Sequence, residues 1–112
     1  MDFNEYQAGV NATWRSTPRP LTFFEQQIMA AELGLSGETG EISENIKKGI
    51  FHEKAELLDK DLMCKELGDA LYYLTKMGDL FGLTLEQIAA ANNLKLAKRY
   101  PEGFRPGGGV RE

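Results

Sequence analysis

Between Gly37 and Asp69 the chain carries two acidic pairs with the same three-residue spacing, Glu38 with Glu41 and Glu66 with Asp69. Residues three apart on a helix share a face, so each pair presents two carboxylates side by side. Like charges that close repel, and removing them from water costs more still. No basic residue stands four positions after any of the four acids, where Ile42, Asn45, Ala70 and Tyr73 are found. A divalent cation relieves both costs, and clustered carboxylate oxygens suit Mg²⁺ or Mn²⁺. The pattern predicts two helices facing each other across a metal site. A lone helical Glu ordinarily sits on a solvated face. The apolar neighbours Leu33, Leu35, Leu67, Ala70 and Leu71 set these pairs apart from that case. Glu44 has two readings. With Lys48 four positions on it fits a surface ion pair, and beside Glu41 it could serve as an outer ligand or as the base that activates water.

Several other residues could do chemistry. Asn92, Lys95 and Arg99 fall at helical spacings on one face, and a lysine is a good point charge for phosphate. Basic residues closing a helix also complement its dipole, and for Lys98 and Arg99 that reading weighs at least as much. Lys47 and Lys48 are either phosphate contacts from a neighbouring subunit or plain surface charge. His52 is the lone histidine and has no cysteine or histidine at zinc-ligand spacing. Cys64 has no motif around it and reads as structural.

The elements that must position these residues are helices. Phe3, Tyr6, Val10 and Trp14 form one apolar helical stripe, with Asp2 or Asn4 as the cap. Trp14 belongs to that stripe and reads as packing rather than as a base-stacking residue. Pro18 and Pro20 make 16–22 extended or turned. A second helix is expected from about Phe23 to Gly49. Gly34, Gly37 and Gly40 weaken it by about 1 kcal/mol each relative to alanine. Close helix approach, or room for a ligand beside the carboxylates, is the expected reason. Residues 49–60 read as a connection with one helical turn, followed by a third helix over 59–81 that Gly82 stops. Thr84 and Gln87 form a capping box that opens a fourth helix from Leu85 to Arg99, and Pro101 ends it. No β alternation is present. The fold class is therefore all-α, a bundle of four or five helices.

Bulk properties narrow the functions. The 112 residues make one domain, expected over 1–104, with 105–112 a flexible C-terminal tail. A net charge of −4 argues against nucleic-acid and membrane-surface partners. A lone cysteine fits a reducing cytoplasm, and the N-terminus lacks the regions of a signal peptide. Short helices with apolar faces on more than one side would leave exposed patches on a monomer, so a homo-oligomer is expected.

The strings LGLSGETGEISENIKKGIFH, KELGDALYYL and NNLKLAKRYPEGF, in this order and spacing, resemble the MazG-like nucleoside triphosphate pyrophosphohydrolases. The resemblance runs from about Glu5 to Phe104. It implies an all-α bundle that uses Mg²⁺, with Mn²⁺ as an alternative, to hydrolyse (deoxy)nucleoside triphosphates to the monophosphate and pyrophosphate for nucleotide-pool housecleaning. Carried over by position, Glu38, Glu41, Glu66 and Asp69 are the metal ligands, with Glu41 or Glu44 the catalytic base. Many relatives carry a further Glu where this chain has Gly37. Asn92 and Lys95 would lie near the phosphates, and Tyr73 near the sugar or base unless it packs in the core. Lys48 and Arg99 complete the substrate-binding candidates. The family also implies a homotetramer, a dimer of dimers, or a homodimer. Two alternatives stand beside this reading: a non-catalytic helical module that binds metal or nucleotide, or a related activity on dUTP or phosphoribosyl-ATP.

Overall fold

The computed structural model describes residues 1–107. Among them are four α-helices: α1 (Phe3–Thr13), α2 (Phe23–Phe51), α3 (Lys60–Leu80) and α4 (Leu85–Arg99). A single 3-10 turn, Ala55–Leu58, joins α2 to α3. The expected tail lies partly, at 108–112, outside the described residues. No helix among the described residues is long and apolar enough to cross a membrane.

Three of the four helices start with a reciprocal capping box, Asp2 with Glu5, Thr22 with Glu25 and Thr84 with Gln87. Each satisfies two amide N–H groups that the first turn leaves without helical partners. Asp59 caps α3 by accepting from the amides of Asp61 and Leu62. At the far end of α3, Gly82 takes a φ of 73°, the left-handed conformation that glycine adopts without steric cost.

The body of the protein is the antiparallel pair α2 and α3. As α2 runs forward α3 runs backward, so the Phe24 ring meets Phe81 edge-on at 5.3 Å. Further along, Gly34 lies against Tyr73, and near the middle Glu38 comes beside Asp69. The turn at 55–58 closes the other end, where Leu58 fills the space a side chain on Gly49 would need. The expected close approach is thus found at Gly34, and at Gly49 as well. It is absent at Gly37 and Gly40, where a Cβ would meet nothing within 4 Å.

Around this pair the chain is open. Helix α4 touches α3 only near their junction, where Ile88 sits against Gly78. Helix α1 packs on no other element among the described residues. Among the described residues the buried ones are Ala31, Gly49 and Gly78, and no large side chain is fully buried. The radius of gyration is 20.1 Å, against about 13 Å for a compact chain of this length.

Candidate metal centre

The spacing turns Glu38 of α2, and both Glu66 and Asp69 of α3, toward the facing helix. Oxygens of Glu38, Glu66 and Asp69 come within 4.8 Å of one another. Glu38 and Glu66 are half-buried and Asp69 is exposed. One oxygen each of Glu38 and Glu66 is shielded from solvent and accepts no hydrogen bond. A shielded carboxylate oxygen without a donor is costly. Here the neighbouring groups add to that cost. Desolvation pushes the Glu38 carboxyl above its ordinary range, and the charges of Asp69 and Glu41 push it further. Desolvation likewise raises Glu66, with Glu41, Asp69 and Glu38 adding repulsion. All the groups are hard oxygen donors, and the two orphaned oxygens are where a cation would supply the missing partner. The donor set therefore fits a divalent ion of the Mg²⁺ type.

Residues 26–104 match the family model of the MazG nucleotide pyrophosphohydrolase domain. The chain belongs to the MazG nucleotide pyrophosphohydrolase family. It is similar to the Gene 37 protein of Mycobacterium phage L5, at 31% identity over 80 residues, 69% of each chain. No solved structure matches it.

Within this MazG domain the remaining candidates fall into different places. Glu41 is exposed and stands outside the close group, though near enough for its charge to raise both Glu38 and Glu66. Glu44 pairs with Lys47 at 3.3 Å and Lys48 at 3.6 Å. A hydrogen bond from Lys47 and its charge hold the Glu44 carboxyl below its ordinary range, which matches the surface-pair reading. That contact also gives Lys48 a partner within its own helix. Tyr73 is half-buried, with its ring laid over Gly34 and edge-on to Tyr72 at 5.1 Å. Its packing alternative is the one its contacts support. Asn92 and Lys95 line an open groove of about 700 Å³ with Leu71, Leu74, Leu85 and Ile88, and the metal-site carboxylates are not part of its lining. Arg99 closes the last turn of α4.

Two features escaped the sequence reading. One is the steric fit of Gly34 to Tyr73, which lies one helical turn from Glu38 on α2 and one turn from Asp69 on α3. Its only sequence signal is the cost of a glycine inside a long helix. The other is a clamp on the proline linker, where the Arg19 guanidinium donates to both Glu25 oxygens at 2.6 and 2.9 Å. The Thr22 to Glu25 spacing announces the cap but not the arginine.

Proposed function

We propose that this protein hydrolyses nucleoside triphosphates to the monophosphate and pyrophosphate, with Mg²⁺ or Mn²⁺ as the required ion. The observation that carries the reading is the convergence of Glu38, Glu66 and Asp69, with two orphaned oxygens, in a chain of the MazG family. Glu38, Glu66 and Asp69 would hold the ion, with Glu41 as the fourth carboxylate beside them. When bound, the ion polarises the phosphoryl oxygens and lowers the pKa of a water. Glu41, exposed at the edge of the group, is the carboxylate that would serve as the base for the attacking water. Glu44 is the lesser base, because its two lysines stabilise its ionised form and lower its basicity. Lys95 and Asn92 supply an ammonium and an amide to the phosphates. Lys48 and Arg99 are the further candidates for phosphate contact, and Tyr73 acts through helix spacing. A reaction of this kind depends mostly on positioning and electrostatics, which a rigid helical pair can supply.

The protein works as a homo-oligomer, a tetramer built from two dimers or a dimer. The large apolar surface left by one copy supports this. Its acidic balance and lone cysteine support a cytoplasmic role without nucleic acid or membrane partners. The test is a panel of ribo- and deoxynucleoside triphosphates with Mg²⁺ or Mn²⁺, read for pyrophosphate against inorganic phosphate. Pyrophosphate is the expected product. Asp69→Asn and Glu41→Gln should each lower the rate by at least the ~10–100-fold typical of changes around a metal ligand. Unchanged release in both variants would refute the metal-site mechanism. Wild type inert toward the whole panel would point instead to a non-catalytic binding module.

A further inference from the structure

Helix α1 is complete in its local design and has nothing to lie on. Its capping box is formed. Yet Phe3 is 90% exposed, Tyr6 58%, Val10 39% and Trp14 72%. Those four residues are its whole apolar stripe. An isolated helix of 11 residues falls below the ~12–15 at which helices become even marginally stable in water. A stable α1 therefore needs a surface to cover that stripe.

The linker decides where the surface is not. Pro18 and Pro20 stiffen it, and the two-pronged Arg19 to Glu25 contact fixes its end to the first turn of α2. The pair pulls the Glu25 carboxyl down to about 2. The linker thus leaves the body as a strut that holds α1 away from its own helices. The arm also precedes the part of the chain that the family model matches, which begins at Gln26.

The groove between α3 and α4 has the complementary form. Its apolar residues include Leu71, Leu74, Leu83, Leu85 and Ile88, and Lys95 lies at its far end. From Leu85 to Lys95 the groove wall is about 15 Å long, and the α1 stripe from Phe3 to Trp14 is about 16 Å, at 1.5 Å per residue. Helix α1 has Asp2 and Glu5 at its start, offset in part by the Met1 ammonium 3.8 Å from Glu5, and no basic side chain. An antiparallel seat would set those acids beside Lys95 and the Trp14 end beside Leu85. The area available is ample. The accessible surface is 9410 Å², about 3,200 Å² more than the scaling for a compact monomer of this mass gives. A stable interface buries about 1,200–2,000 Å² in total.

We propose that α1 is an exchanged arm, seated in the α3–α4 groove of a second copy of this chain. Both exposed apolar surfaces are thereby covered at once, and the groove that carries Asn92 and Lys95 gains a wall from the partner. The arm makes the groove intersubunit, so the Asn92 and Lys95 face is complete only in the oligomer.

Two measurements on the full chain test this, and neither depends on metal or nucleotide. Sedimentation velocity at micromolar concentration should show an oligomer for wild type. For Tyr6→Lys with Val10→Lys it should show at least a halving of mass, with the far-ultraviolet helix signal of α2 and α3 retained. In a Cys64→Ser background, chains carrying Val10→Cys and chains carrying Ala89→Cys, the groove residue that the antiparallel seat sets opposite Val10, are then mixed and oxidised. A disulfide between the two chain types is expected. Monomeric wild type, an unchanged mass in the lysine variant, or no hybrid disulfide would overturn the proposal. So would a disulfide forming within one chain that carries both cysteines at nanomolar concentration.

Discussion

Replacing Gly34 by alanine separates the stability of the helical pair from the geometry of its metal site. A Cβ on Gly34 would lie 2.5 Å from Tyr73 Cζ, inside the ring's contact surface. Ordinary carbon contacts lie at about 3.5–4.0 Å, so the ring or the helix must retreat by about 1 Å or more. Overpacking of this kind costs about 1–3 kcal/mol. Alanine also returns about 1 kcal/mol of helix propensity. The two largely offset each other in stability, leaving a net loss of about 0–2 kcal/mol.

The metal site has no such compensation. Gly34 is one turn from Glu38 and Tyr73 is one turn from Asp69, so a shift of about 1 Å between the helices there far exceeds the ~0.2 Å tolerance of a coordination shell. Mn²⁺ affinity, followed by calorimetry or by loss of the free ion's electron paramagnetic resonance signal, should fall about tenfold or more. Tyr73→Ala in the same chain should restore most of it by making room for the new methyl group. Gly37→Ala is the control. A Cβ there meets nothing within 4 Å, so it should stabilise the helix by about 1 kcal/mol and leave Mn²⁺ affinity alone. Gly34→Ala binding Mn²⁺ as tightly as wild type would refute the argument that the Gly34 to Tyr73 contact sets the spacing of the carboxylates.

Two further outcomes follow from the charges. In metal-free protein at pH 7, Glu66→Gln should raise the melting temperature, because it removes a desolvated carboxylate repelled by Glu41, Asp69 and Glu38. The same variant should lose most of the wild type's stabilisation by Mn²⁺, which is about 2.7 kcal/mol at a hundredfold excess over Kd, as thermal melts with and without the ion would show. At the other end of α2, the Glu25 carboxyl is held at about 2, chiefly by its hydrogen bond from Arg19, against an ordinary 4.5. The unfolded chain therefore takes up the Glu25 proton first as pH falls, and the stabilisation is present above 4.5 and lost towards 2. The melting-temperature gap between wild type and Glu25→Gln should be full at pH 6 and close through that window, and a gap independent of pH would contradict the clamp.

Much of the helical architecture is legible in the sequence because its signals are local. The fourth helix is predicted over Leu85–Arg99 and found there, since Thr84, Gln87 and Pro101 mark both ends. The second helix runs two residues past its expected end at Gly49, to Phe51, because the segment to the 3-10 turn continues to hydrogen-bond in helical fashion. The acidic pairs are legible too, since period and spacing place Glu38, Glu66 and Asp69 on facing surfaces. What is not legible is anything that depends on which surfaces meet. A glycine inside a helix signals its cost but not its partner, so Gly34, Gly37 and Gly40 look alike in the sequence. Only Gly34 has a ring against it. Glu44 likewise offers two roles until Lys47 and Lys48 are both seen to hold it.

The same limit explains the arm. The stripe of Phe3, Tyr6, Val10 and Trp14 states that α1 has one apolar face, and periodicity can state no more. A chain that made a closed bundle by itself would bring that face onto α2 or α3. Here the linker is stiff and clamped, and α2 and α3 already spend their contact face on each other around the carboxylates. A folding chain in this arrangement gains little from α1 until a second copy is present, so association and the ordering of the arm are one event. If Asn92 and Lys95 act on phosphates, dilution below the dissociation constant of the oligomer would weaken nucleotide binding while Glu38, Glu66 and Asp69, which come from a single α2–α3 pair, still bound Mn²⁺. Equal loss of both on dilution would show that the metal site, too, is built by the oligomer.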